Sequence, residues 1–135
     1  MRILALDYGS ARCGCAVSDP TGTLATPIEP VLRPGSRKGF NRLLGLVRER
    51  GVRRVVVGLP IGLSGRDTDQ TRVCRDFADR LRGSLGERVP VDLYDERFTT
   101  AIAARSGSAD TAEDSRAAAV LLEDYLARHG HEVRG

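Results

Sequence analysis

Residues 3–6, Ile-Leu-Ala-Leu, are apolar without a break, and the run stops at Asp7. A strand with one wet face alternates apolar and polar residues, whereas an unbroken apolar run needs cover on both faces. Residues 2–8 are therefore expected to form a strand at a central position of a sheet. Gly9-Ser10 makes a turn, and residues 13–18, Cys-Gly-Cys-Ala-Val-Ser, read as a second strand, so the chain opens on a hairpin. An acid at the end of such a strand stands at the rim of the sheet, yet close to dry core.

The remaining elements follow from period and punctuation. Residues 24–32 read as a third, edge-like strand, interrupted by Pro27 and Pro30. Phe40, Leu43, Leu44 and Val47 recur at helical spacing, and Gly51 ends that helix. Arg53–Gly58 is a short apolar strand, followed by a glycine-rich loop over Gly58–Gly65. Asp67 or Thr68 caps a second helix, whose inner face is expected to carry Val73, Phe77, Leu81 and Leu85. Val89–Asp95 is the last strand. Thr99 or Thr100 caps a short helix, and Asp110 or Thr111 a final one with Ala118, Leu121, Leu122 and Tyr125 as its buried stripe. The order β-β-β-α-β-α-β-α-α predicts an α/β domain. Its five-stranded mixed sheet is antiparallel over the first three strands, then built by β-α-β crossovers, with helices on its faces. No linker or repeat divides the chain, so residues 1–135 are read as one domain.

Charge is distributed unevenly. Arg33–Arg54 holds eight basic residues, Arg37, Lys38 and Arg42 among them, against Glu49 alone, whereas Asp92–Asp124 holds eight acids against three arginines. A basic flank beside an acidic centre suits a metal-dependent enzyme with a polyanionic substrate; a solvated, arginine-rich helix face gives the same pattern. Cys13, Cys15 and Cys74 are odd in number and lack framework spacing, so they are expected to be reduced, in a cytoplasmic protein. No apolar run approaches a membrane span, and the N-terminal run reads as a strand rather than a signal peptide. His129 and His131 lie in a polar tail and read as surface residues.

Three carboxylates sit at element edges: Asp7 after the first strand, Glu96 after the last, and Asp114 in the opening turn of the final helix. Asp114 also fits the third helical position of a capping box begun by Thr111. If the three ends converge, they form an oxygen-rich pocket for Mg²⁺ or Mn²⁺, the kit for two-metal phosphodiester hydrolysis. Arg12 and Arg97 flank these positions and offer bidentate phosphate contacts. The Gly58–Gly65 loop lacks the Gly-Lys-Ser/Thr ending of a phosphate-binding loop and reads as a site rim.

These blocks resemble a family. Asp7-Tyr-Gly-Ser-Ala-Arg-Cys-Gly-Cys-Ala-Val-Ser-Asp19, Val56-Val-Gly-Leu-Pro60, Asp95-Glu-Arg-Phe-Thr-Thr100 and Asp114-Ser-Arg-Ala-Ala-Ala-Val-Leu-Leu122 occur in the order seen in the YqgF-type pre-16S rRNA nucleases. Those proteins are also called Holliday-junction-resolvase-like and have a ribonuclease H-like fold. The resemblance runs from Arg2 to about Leu126. It implies catalytic and metal-binding roles for Asp7, Glu96 and Asp114, and a nuclease of ribosome biogenesis that processes the 5′ end of pre-16S rRNA. Two departures stand out. Position 11, often basic in the family, is Ala11, and Ala101–Glu113 is short and slightly acidic where relatives are longer and basic.

Rival readings are a junction resolvase acting on branched DNA and a binding-only assembly factor. A resolvase would be a homodimer, since two symmetric cuts need two sites; an RNA-processing enzyme fits a monomer or a homodimer. With three Tyr, three Phe and no Trp, base stacking is disfavoured as the main grip, and backbone recognition of nucleic acid is expected.

Overall fold

The computed structural model describes residues 1–62, 64–96 and 111–130, with side chains from Ser115 onward in the last stretch. Its strands are β1 (Ile3–Asp7), β2 (Arg12–Ser18), β3 (Ala25–Leu32), β4 (Arg54–Leu59) and β5 (Val91–Asp95). Its helices are α1 (Arg37–Glu49), α2 (Asp69–Leu85) and α3 (Thr111–Arg128). The sheet order is β3-β2-β1-β4-β5. β1, β2 and β3 pair antiparallel, while β4 and β5 join parallel to β1. The unbroken apolar run of β1 is thus explained: it is the central strand, and all five of its residues are buried.

Alternation divides the core in two. Leu4 and Leu6 of β1 and Val55 and Val57 of β4 face α1 and α2, where Phe40, Leu43, Val47, Phe77 and Leu81 cover them. Ile3, Ala5 and Val56 face the other way, against Ala118, Leu121, Leu122 and Tyr125 of α3. Removing one of the fully buried leucines, such as Leu121, would cost roughly 2–5 kcal/mol, because the cavity it leaves relaxes only in part.

Helix ends are set locally. Ser36 caps α1, its hydroxyl accepting from the Gly39 N–H at 3.0 Å. Gly51 ends it in a left-handed conformation (φ 63°). Val52 N–H then reaches the Val47 carbonyl at 3.0 Å and Gly51 N–H the Arg48 carbonyl at 3.3 Å, the paired bonds of a Schellman stop. Thr68, not Asp67, caps α2, in a reciprocal box with Thr71, and Asp67 pairs with Arg75 instead.

Three expectations need correction. The inner face of α2 is Thr71, Cys74, Phe77, Ala78 and Leu81, while Val73 is 42% exposed. A spacing of four advances 400° at 100° per residue, so a row at every fourth position drifts off the sheet; the buried face mixes steps of three and four. β4 runs to Leu59, one residue past the expected strand end at Gly58, so Gly58 lies inside the strand and the loop begins later. β5 begins at Val91, two residues later than expected. The short helix expected after Thr99 lies outside the described residues.

Candidate nuclease site

Asp7 ends β1 on the face that α3 covers, because it continues the Ile3, Ala5 alternation. It is 4% exposed. Its neighbours across the sheet explain why a carboxylate fits there. On β2 the partner of Asp7 is Gly14. On β4, Leu6 pairs with Val57, so the next position beside Asp7 is Gly58. Asp7 therefore stands between two residues without side chains, in a gap on an otherwise filled sheet face.

Glu96 closes that gap from the other side. It follows β5, whose Tyr94 pairs with Gly58 and whose Asp95 pairs with Leu59. Its carboxylate lies over Gly58, so closely that a Cβ added there would stand 2.5 Å from Oε1. Only glycine leaves this space at the end of β4. Burial pushes the Glu96 carboxyl up to about 7, with the Asp95 charge adding to the effect. Cys74 of α2 is held up to about 12, first by its own burial and then by the Glu96 charge.

Asp114 belongs to the first turn of α3; its side chain lies outside the described residues. The turn itself is anchored, since the hydroxyl of the next residue, Ser115, donates to the Ile28 carbonyl of β3. Ile28 pairs with Cys15 and Cys15 with Leu6, so this turn stands level with the Asp7 end of β1, two strands across. The far end of α3 is tied down by Tyr125, which accepts from Arg54 and donates to Asp92, both at 2.8 Å. The structure thus brings Asp7 and Glu96 to one end and one face of the sheet, and sets the Asp114 backbone at that same end.

The basic candidates divide. Arg12 opens β2 opposite Leu32, at the Asp7 end. Arg37, Lys38 and Arg42 are exposed on α1, and Arg42 faces Glu49 at 3.7 Å. Arg97 lies outside the described residues, as does Ala101–Asp110. The turn after β4 is compact: Gly62 N–H bonds the Arg66 carbonyl at 3.0 Å, Gly65 N–H bonds the Gly62 carbonyl at 2.8 Å, and the Thr71 hydroxyl donates to the Pro60 carbonyl. Sequence reasoning does not single out Gly14 and the strand position of Gly58 as parts of the site. The available signal is two small residues on strands expected to flank the acid.

A family model described as "RuvX: Holliday junction resolvase" matches residues 1–128. The chain belongs to the RuvX family. Relatives bearing the name "Putative pre-16S rRNA nuclease" include one from Koribacter versatilis, 37% identical over 96% of this chain and 88% of the relative. Another, from Mycobacterium leprae, is 43% identical over 93% of this chain and 72% of the relative. Among solved structures, Thermus thermophilus RuvC in complex with Holliday junction substrate superposes with a TM-score of 0.59 at 17% identity, covering 96% of each chain. A second RuvC structure from that organism gives 0.56 at 16% identity, covering 96% of this chain and 97% of RuvC. Like RuvC, this RuvX-family chain has the ribonuclease H-like fold, as the sequence resemblance implied.

Proposed function

We propose that this chain is a nuclease that hydrolyses phosphodiester bonds and processes the 5′ end of pre-16S rRNA in ribosome biogenesis. The observation that carries the chemistry is the buried Asp7 carboxylate between Gly14 and Gly58, with the Glu96 carboxylate lying over Gly58. A packing role would fill that gap with apolar side chains. Two carboxylates brought to one end and one face of a sheet instead offer hard oxygen ligands to a cation.

The donor set fits a hard divalent ion, being carboxylate oxygen throughout. Asp7, Glu96 and Asp114 would hold Mg²⁺ or Mn²⁺. When bound, such an ion activates water and offsets charge on the phosphate being cut. The chain's own residues do the rest. Asp7 supplies charge on the rigid central strand. Glu96 takes up or gives up a proton near neutrality, according to whether positive charge is beside it. Arg12 and Arg97 orient phosphate oxygens, and Arg37, Lys38 and Arg42 add attraction for the nucleic-acid backbone. The working unit is one domain over residues 1–135, acting in the cytoplasm as a monomer or homodimer. Among the described residues no helix is long and apolar enough to cross a membrane.

The test is cleavage of a pre-16S 5′-leader RNA and of a four-way DNA junction, each with Mg²⁺ or Mn²⁺. Asp7→Asn should leave binding intact and lower cleavage by roughly 10³-fold, a loss of several kcal/mol of transition-state stabilisation. Cutting of the junction alone would favour a resolvase, in line with the family's description. Binding of either substrate without cutting would favour an assembly factor.

A further inference from the structure

A groove lies between the end of β3 and the outer face of α1, clear of the carboxylates. It encloses about 890 Å³, and Leu32, Arg33, Lys38, Arg42 and Arg48 are among its walls. Four cations face one carboxylate there, that of Glu49, so the groove favours a polyanion. Arginine and lysine stems along its sides give apolar cover beneath charged tips.

The groove starts at the Asp7 end of the sheet. Leu32 pairs with Arg12, and β3 runs parallel to β1 across the intervening β2. From there the groove runs back along α1 as far as Arg48. Two strand spacings, about 10 Å, separate β1 from β3, and α1 covers the face opposite the one that carries Asp7, so a strand reaching the groove passes round the β3 edge. A stacked strand rising roughly 3.4 Å per nucleotide covers the lateral distance in about three nucleotides and needs about as many again to round the edge.

Arg33 sits where the groove meets this end, and its backbone is unusual. Its φ is 45°, the left-handed region that glycine occupies freely and other residues occupy at a cost. Three hydrogen bonds hold it there. Its N–H donates to the Ala11 carbonyl at 2.9 Å, and its carbonyl accepts from the Ser36 N–H at 3.0 Å and the Ser36 hydroxyl at 2.7 Å. All three use the Arg33 backbone alone, so glycine would make them as well. What glycine would lack is the guanidinium. A strained residue whose side chain the fold does not require points to a task for that side chain.

We infer that the β3–α1 groove binds the phosphodiester backbone of the substrate strand beyond the point of cleavage, with Arg33 as the positioning residue at its mouth. The inference rests on the nuclease reading. Lys38 and Arg48 carry the strand along α1, and Arg42 joins them by exchanging Glu49 for phosphate. The partner is recognised by charge and spacing, not by base identity.

The experiment is fluorescence anisotropy of a labelled RNA hairpin with a single-stranded tail, in EDTA, across a salt series, with cleavage measured separately. Arg33→Gly is the decisive variant, because it removes the guanidinium and relieves the backbone. It should melt no lower than the parent and bind severalfold more weakly, with a salt slope shallower by about 0.7–0.9. Lys38→Ala/Arg48→Ala should lose roughly tenfold or more in affinity, with about twice that change in slope. Arg53→Ala/Arg88→Ala removes the same charge from exposed positions outside the groove and should bind as the parent does. Equal losses in the two double variants would overturn the groove in favour of net charge. Unchanged binding in Arg33→Gly, from a parent that still binds and cuts RNA, would overturn the role of Arg33 and leave the nuclease reading standing. A parent that neither binds nor cuts RNA or a DNA junction would remove the nuclease reading and the groove together.

Discussion

Replacing Glu96 with glutamine removes a charge that the fold holds at a cost. Burial, then the neighbouring Asp95 charge, sets the carboxyl at about 7 instead of 4.5. A folded-state value above the unfolded one means that the folded chain keeps a proton the unfolded chain has released. The contribution to stability is therefore full below about pH 4.5 and is lost as the pH rises through about 7. That window spans about 2.5 pH units, and at about 1.4 kcal/mol per unit it is worth about 3 kcal/mol. Glutamine keeps the shape and has no charge to desolvate. In EDTA, Glu96→Gln should match the parent near pH 4.5 and exceed it by up to about 3 kcal/mol near pH 8, roughly 10 °C in Tm. Urea unfolding followed by circular dichroism across this range measures the gap. Cleavage should be lost in the same variant, and added Mg²⁺ should narrow the gap at high pH by stabilising only the parent's carboxylate. A gap that stays constant from acid to alkaline pH would refute the reasoning, since it would show that Glu96 ionises as freely in the folded chain as in the unfolded one.

Gly58→Ala should separate activity from stability. Its new methyl would collide with Glu96 Oε1, the tip of a flexible side chain, so the melt should fall by no more than about 1 kcal/mol while cleavage falls by roughly 10²-fold; equal rates in the two proteins would count against the placement of Glu96. Ser36→Ala should cost about 1 kcal/mol in urea unfolding, because the hydroxyl accepts from Gly39 at 3.0 Å and donates to the Arg33 carbonyl at 2.7 Å. Cys13, Cys15 and Cys74 are free and buried, so the folded protein should resist iodoacetamide and take up three equivalents in urea, read by mass spectrometry. A disulfide-linked species in freshly purified, unreduced protein would contradict this.

Much of this architecture is written in local chemistry. The apolar run of β1 demands cover on both faces, Gly51 and Thr68 set helix ends through their own backbone and hydroxyl, and Leu121, Leu122 and Tyr125 mark the buried side of α3 by period alone. Position at element edges marks Asp7, Glu96 and Asp114 as candidates, and the four motif blocks add to this through their resemblance to a family. Other features lie beyond the reach of local patterns. A spacing of four puts Val73 on the wrong side of α2, because it cannot say where a helix drifts from the sheet it packs on. The glycine pair beside Asp7 depends on register, and register is decided by which strands become neighbours. Glu96 acquires its raised carboxyl only when β5 docks beside β4 and carries it over Gly58. Arg33 is one more arginine in a basic run until the turn joining β3 to α1 forces its backbone into the left-handed region. The sequence by itself determined the elements and named the acids, because propensity, period and capping act within a few residues. Tertiary structure decided the gap between Gly14 and Gly58, the burial of Asp7, the partial burial of Glu96 and the groove along α1, because each is made by residues that meet only after the sheet has closed.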